Sequence, residues 1–267
     1  MGIFIALGDL HGQMETLDRL EIVQKQYPTA KTIFIGDYID CYGTNLGFDL
    51  LHEIHDMQMK NPSDVIVLMG NHEQAAIDYF EDPENDSWLR FGGDYTLRAV
   101  AKKLGSKQDF SHDREFVLNH EHGLLDWVKQ LPLTYYPGSD NKIVFTHAGL
   151  DLLLDDPIRD TSQTDHLWMR ATYWYNPNFW GIFGHNKLDM SIVTGHTPTG
   201  NIMGEYEDDE RPKKQESNRN PIYAIHYPGE YPRYLIDGGA GDGDSKKLGN
   251  IGVFDGETGM LIDAIED

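Results

Sequence analysis

Three features of the sequence predict an α/β protein. Its first third alternates short apolar runs with amphipathic stretches of helical period. Each apolar run there stops at a Gly-Asp or Gly-Asn pair. Its second half carries short strand-like runs split by Gly, Asn and Asp turns. Strand, turn, helix, strand is the rhythm of βαβ units around a parallel sheet.

Ile3–Leu7 reads as the first strand and ends at Gly8-Asp9-Leu10-His11-Gly12. Gln13–Gln26 follows as a helix, with Met14, Leu17, Leu20, Ile22 and Val23 at near-helical spacing. Thr32–Ile35 is the second strand and closes on Gly36-Asp37-Tyr38-Ile39-Asp40. Gly47–Met59 returns to helical period through Phe48, Leu51, Ile54 and Met57. Val65–Met69, the third strand, runs into Gly70-Asn71-His72-Glu73. Residues 74–130 read mostly as helix, with segments at Ala75–Phe80, Tyr95–Leu104 and Phe116–Gln130, the last stopped by Pro132. This stretch is expected to cap the sheet. Further strands are expected at Leu133–Tyr136, Ile143–Phe145, Ile192–Thr194, Tyr234–Ile236, Gly249–Phe254 and Met260–Ala264. The last two face each other across a turn at Asp255-Gly256 and Thr258-Gly259. Glu205–Pro221 is charged and poor in apolar residues, and reads as a mobile acidic loop. Residues 1–267 are therefore expected to form one domain.

Composition narrows the function. Apolar residues make up 39% of the chain, enough for a sizeable core. No apolar stretch approaches the roughly 20 residues that span a bilayer. No basic segment precedes Ile3, so no secretory leader is expected, and no membrane partner. The single Cys41 excludes an intrachain disulfide and fits a reducing cytoplasm. A net charge of −22 argues against a nucleic-acid partner, because like charges repel.

The chemistry gathers where strands end. Strand ends at one sheet edge are where α/β proteins place their sites. Thr146-His147-Ala148-Gly149 and Gly195-His196-Thr197-Pro198 extend the series begun by the first three motifs, and Leu235-Ile236-Asp237-Gly238-Gly239 has a similar shape. Asp9 and His11 can meet one cation where the turn curls. Asp37 has two carboxylate oxygens and can bridge two cations. Asn71, His147 and His196 supply neutral ligands to the second. Imidazole, carboxylate and amide together suit Mn, Fe or Zn better than Ca or Mg. Two such ions about 3.5–4 Å apart can hold a hydroxide and clamp a phosphoryl oxygen. His72 can protonate a leaving oxygen, Asp40 can orient it, and Arg170 can grip phosphate oxygens. Asp237 reads equally as an acid behind this site or as a turn residue.

The set GDLHG, GDYID, GNHE, THAG and GHTP resembles the phosphoprotein phosphatase branch of the calcineurin-like metallophosphoesterases, from Gly8 to about Gly239. The resemblance implies a central β-sandwich of mixed sheets flanked by helices, in four αββα layers. It implies two divalent metal ions, with Mn foremost and Fe, Zn or Ni as alternatives. Asp9 and His11 then fall on one metal, Asp37 bridges, and Asn71, His147 and His196 fall on the other. His72 and Asp40 fall on the acid pair, and Leu167-Trp168-Met169-Arg170 brings a phosphate-binding Arg170. The implied reaction is direct attack by metal-bound hydroxide without a phosphoenzyme. The expected substrate is a phosphorylated protein, carrying phosphoserine or phosphothreonine, or a small phosphoester. A symmetrical diadenosine-polyphosphate hydrolase, a phosphodiesterase and a metal-binding module without catalysis are the other readings; Asp40 favours the phosphatase.

One departure stands out. The family usually has Arg-Gly where this chain has Cys41-Tyr42. Losing such a contact costs about 1.5–3 kcal/mol. The sequence therefore predicts a weaker or differently aimed phosphatase unless Arg90, Arg98 or Arg170 compensates.

Overall fold

Successive side chains along a strand point to opposite faces, and in β1 (Ile3–Leu7) both faces are apolar. Such a strand needs cover on each side. In the computed structural model, which describes residues 2–41, 47–82, 84–107, 110–170, 185–204, 214–242 and 247–266, two different layers provide it.

β1 pairs in parallel with β2 (Lys31–Phe34), and β2 with β3 (Val65–Val67). On its other side β1 pairs antiparallel with β9 (Ile251–Asp255), which turns back into β10 (Leu261–Ile265). The second sheet has β5 (Ile143–Thr146), β6 (Ser191–Thr194) and β8 (Arg233–Leu235) in parallel. Its antiparallel edges are β4 (Thr134–Tyr135) and β7 (Tyr223–Ile225). The strand orders are β10-β9-β1-β2-β3 and β4-β5-β6-β8-β7.

Period two sorts the core. Phe4, Ala6, Ile33 and Ile35 of the first sheet pack on Ile143, Phe145, Val193, Tyr234 and Ile236 of the second. Ile5, Leu7, Phe34, Val65 and Val67 face the other way. They pack with α1 (Glu15–Gln26), α2 (Asp49–Lys60), α3 (Asn71–Glu81), α4 (Gly93–Lys103) and α5 (Phe110–Val128). Outside the second sheet, Val144 and Ile192 pack on Leu150 and Leu152. The result is the expected α/β architecture of mixed sheets flanked by helices.

Several boundaries differ from the sequence reading. α3 begins at Asn71 rather than Ala75, so two site residues sit in its first turn. α5 begins at Phe110, six residues before the expected Phe116, in a stretch whose polar residues blur the helical period. The three-residue β7 arises inside a Tyr- and Pro-rich segment that reads as a loop. Three residues are too few for an alternation signal. Residues 205–213 of the expected acidic loop, Tyr42 and Trp174 lie outside the described residues. Among the described residues no helix is long and apolar enough to cross a membrane.

Each parallel strand of the two sheets delivers its C-terminal end to one shared edge. The Gly195 amide donates to the His147 carbonyl (2.8 Å), and the His196 amide donates to Asp9 Oδ1 across the two sheets (2.6 Å). Strand direction therefore places the site.

Candidate metal centre

At that edge the chain turns sharply. Five described non-glycine residues have left-handed φ: Asp9 (57°), His11 (44°), Asp37 (57°), Asp40 (66°) and His196 (68°). All five belong to the strand-end motifs. Backbone of this kind costs about 1–3 kcal/mol per residue and persists only where the surroundings impose it. Here the Asp9 amide donates to the Gly36 carbonyl (2.9 Å) and the His11 amide to the Asp37 carbonyl (3.0 Å).

Asp37 is the centre of the arrangement. Its Oδ2 lies 3.9 Å from His11 Nε2, 4.0 Å from His72 Nε2 and 3.5 Å from His147 Nε2. Two groups have ligand atoms that all lie within 4.8 Å of one another: His11, Asp37 and His72, and Asp37, His147 and His196. Asp37 belongs to both. Backbone carbonyls fix the rings. His11 Nδ1 lies against the carbonyls of Ile39 (3.0 Å) and Asp40 (2.6 Å), and His147 Nδ1 against that of Ile35 (2.9 Å). A ring that donates from Nδ1 turns the lone pair of Nε2 into the site, as metal-binding histidines do.

The electrostatics favour cations. Burial lowers His11, His147 and His196, which favours the neutral ring. Burial alone would raise Asp37, but the surrounding imidazoles, His147 foremost, hold it well below the usual carboxylate range. Neutral imidazoles around an ionised carboxylate are the protonation state that ligation needs. Burial, then the charges of Asp237 and Asp37, push Asp9 well above its ordinary value. Asp9 Oδ2 and His196 Nε2 are buried without any hydrogen-bond partner. His147 Nε2 lies 2.9 Å from Asn71 Oδ1 and 3.2 Å from His196 Nδ1. An orphaned buried acceptor costs about 1–3 kcal/mol. Divalent cations relieve each of these defects at once, so the residues fit a dinuclear centre.

His11, Asp37, Asn71 and His196 line an open cavity of about 550 Å³. His72 enters from one side, its Nδ1 2.9 Å from Asp40 Oδ2. Arg170 enters from another, donating from Nη1 to the His196 carbonyl and to Thr197 Oγ1, both at 3.0 Å. Phe91 and Trp168 lie on its wall with ring centroids 5.5 Å apart, and Asp237 and Asp242 add negative charge.

A family model described as calcineurin-like phosphoesterase matches residues 3–226. The chain belongs to that family. Among curated relatives of this chain is the serine/threonine-protein phosphatase PP1-delta of Caenorhabditis elegans, 26% identical over 162 residues, which are 57% of this chain and 50% of the relative. Another is the serine/threonine-protein phosphatase 6 catalytic subunit of Drosophila melanogaster, 20% identical over 202 residues, 73% of this chain and 57% of the relative. The chain thus spans about half the length of these two relatives. A Saccharomyces cerevisiae serine/threonine phosphatase structure with similarity to human PP5 superposes over 100% of this chain and 80% of its own, with a TM-score of 0.54 at 15% identity. A candidate diadenosine tetraphosphatase superposes over 99% of this chain and 93% of its own, with a TM-score of 0.52 at 14% identity. At such identities the structures speak for the fold alone.

The site also holds residues that the sequence reading passed over. Glu73 is fully buried, and its carboxylate accepts the amides of Asp37, Tyr38, Ile39 and Gly70. Trp88 and Thr96 both donate to Asp40. A Gly92-Gly93 pair beside a tryptophan was the one available cue. Asp237 lines the cavity rather than serving only as a turn, and burial pushes its carboxyl up to about 7. Cys41 is 2% exposed with Sγ 3.7 Å from the Ala240 carbonyl, so it packs inside rather than facing the cavity. Arg90 pairs with Asp86 on the surface, and neither Arg90 nor Arg98 lines the cavity. Of the three arginines expected to compensate, only Arg170 is in place. Three other histidines have structural partners: His52 pairs with Glu121 (3.1 Å), His55 packs on Trp127, and His166 lies near Thr146 Oγ1 (3.0 Å).

Close packing gives a direct test of the ligand cage. A Cβ on Gly195 would sit 1.9 Å from Asp9 Oδ2. Gly195→Ala is therefore expected to push Asp9 aside and weaken Mn²⁺ binding by about 10–100-fold, as loss of a ligand's support does. Isothermal titration calorimetry measures it; unchanged affinity would show that Asp9 is not a ligand.

Proposed function

We propose that this phosphoesterase is a phosphatase of the phosphoprotein phosphatase branch, acting on phosphate monoesters, with phosphoserine or phosphothreonine in proteins as the leading substrate. The observation that carries the reading is Asp37, shared by two ligand groups, with His72 and Arg170 facing the same cavity. Asp9, His11, Asp37, Asn71, His147 and His196 would hold two divalent cations, with Mn²⁺ foremost. When bound, such a pair supplies Lewis acidity and lowers the pKa of a shared water.

The chain's own residues do the rest. Arg170 already spends Nη1 on backbone and Thr197, which fixes the guanidinium and leaves its other nitrogens for phosphate oxygens. His72 lines the same cavity, so its Nε2 would face the leaving group. Among the described lining residues Arg170 and the protonated His72 are the cations, while Asp242 is acidic and burial raises the Asp237 carboxyl. A polyphosphate carries several charges and would need more positive partners than a monoester. This favours the phosphatase over the diadenosine-polyphosphate reading.

His72 must carry a proton to act as the acid. Burial alone would lower it, but the Asp37 charge and the Asp40 hydrogen bond push it up to about 9. The proton is present at low pH and lost as pH rises through that value. Cations that neutralise Asp37 withdraw its share, so the alkaline limb of kcat/KM is expected between the ordinary 6.5 and about 9. A rate flat across roughly pH 5 to 10 would remove His72 from the role.

The deciding assay offers one Mn²⁺-loaded preparation a phosphoseryl peptide, bis-nitrophenyl phosphate and diadenosine tetraphosphate. Preference for the peptide supports the proposal. Faster turnover of the diester or the dinucleotide would replace it, and Mn²⁺ binding without turnover of any ester would leave a binding module.

A further inference from the structure

Asp40 is caged. Its side chain is 0% exposed, and three side-chain donors reach it. Thr96 Oγ1 donates to Oδ1 at 2.5 Å, Trp88 Nε1 donates to Oδ2 at 2.7 Å, and His72 Nδ1 lies 2.9 Å from the same Oδ2. A carboxylate has about four acceptor positions. With three filled from fixed directions, it cannot rotate.

The donors are themselves fixed. Trp88 sits in a one-turn 3₁₀ helix, Ser87–Phe91, and is fully buried. Its ring lies 5.3 Å from Tyr79 and 5.6 Å from Phe80, centroid to centroid. Its face rests on Gly93, where a Cβ would come within 2.4 Å of the indole. Gly92, at φ 94°, turns the chain into α4, whose first turns carry Thr96. A buried indole N–H needs a partner, and the one it has is Asp40.

We infer that Trp88 and Thr96 are positioning residues that hold Asp40 so that His72 keeps its Nδ1–H on Asp40 and aims Nε2 at the leaving oxygen. The inference rests on His72 being the general acid. In that step the Nε2–H bond breaks, its electron pair stays on the ring, and the proton caps the departing alkoxide as an alcohol. Solvent then returns a proton to Nε2. Trp88 and Thr96 touch neither substrate nor proton; they act through Asp40. The role has a signature that loss of packing lacks. A nitrophenolate leaves without a proton, whereas the alkoxide of serine does not.

The test compares kcat on a phosphoseryl peptide and on p-nitrophenyl phosphate for the Mn²⁺-loaded wild type and for Trp88→Phe, Thr96→Val, Thr96→Ser and His72→Asn. General acids contribute about 10²–10⁴-fold, and a loosened one is expected to lose about tenfold of this on the peptide. On nitrophenyl phosphate Trp88→Phe and Thr96→Val are expected to lose less than about threefold. KM stays near wild type for both esters, and Thr96→Ser, which keeps the hydroxyl, restores the peptide rate. Equal losses on both esters, or no rescue by Ser, would overturn the inference. His72→Asn separates the two claims. If it too loses equally on both esters, the assignment of the acid fails; if it alone shows the peptide-specific loss, only the cradle fails. Should Trp88→Phe not fold, the Thr96 pair decides.

Discussion

Asp37→Asn is expected to lower turnover of phosphate monoesters at least about a thousandfold, from the several kcal/mol that a correctly held metal pair supplies. The substitution is nearly isosteric, and asparagine tolerates the left-handed φ of 57° that Asp37 adopts. The fold should therefore survive, and the loss should be chemical. Asp37 is the member common to both ligand groups and the carboxylate that three imidazoles face within 4.0 Å. Exchanging its charge for an amide would remove the one carboxylate common to both ligand groups. Elemental analysis of the purified variant should show less than one metal per chain, and added Mn²⁺ should no longer raise Tm. In the wild type, ligand at a hundred times Kd stabilises by about 2.7 kcal/mol, which gives a clear contrast. A variant that keeps two metals and a tenth of its rate would remove Asp37 from the centre.

Part of this site was readable because its backbone and its chemistry use the same letters. A left-handed turn at the end of a strand favours Asp, Asn or Gly. Asp9, Asp37 and Asp40 satisfy the turn and also carry the carboxylates. Strand ends also fix direction, so His147 and His196 fall on the edge that holds Asp9, although 187 positions separate Asp9 from His196. The layering came from the resemblance of the motifs, and the two apolar faces of Ile3–Leu7 agree with it. What was not readable were contacts without a period or a motif of their own. Trp88 belongs to a single 3₁₀ turn with no repeating pattern, and its hydrogen bond to Asp40 spans 48 positions. Cys41 packs as a small buried side chain. It stands where an arginine is usual, yet its side chain turns inward toward Ala240. A missing motif residue says nothing about where its replacement points.

Glu73 was hidden in plain view, as the last letter of a motif whose other members draw the eye. Its carboxylate accepts amides from Asp37 (2.9 Å), Tyr38 (2.8 Å), Ile39 (3.2 Å) and Gly70 (3.2 Å). These amides belong to the turn that aims Asp37 and to the residue that leads into α3. Glu73→Gln keeps the volume but sets an amide N–H₂ against backbone N–H donors. Leaving buried donors unpaired costs about 1–3 kcal/mol each, so a total near 3 kcal/mol is expected. For a domain of this size that lowers Tm by roughly 6–12 °C. The cost should depend on metal. Burial and then the Asp37 charge raise the Glu73 carboxyl in the metal-free protein, which weakens its hold on those donors. Cations that neutralise Asp37 lift that repulsion and let the full carboxylate charge face the amides. The destabilisation should therefore be larger with Mn²⁺ than with a chelator, read by calorimetry on both forms at one pH. Equal Tm shifts in the two forms would mean that Glu73 supports the turn but is not coupled to the metals, and a shift below about 2 °C would mean that the four bonds contribute little to the fold.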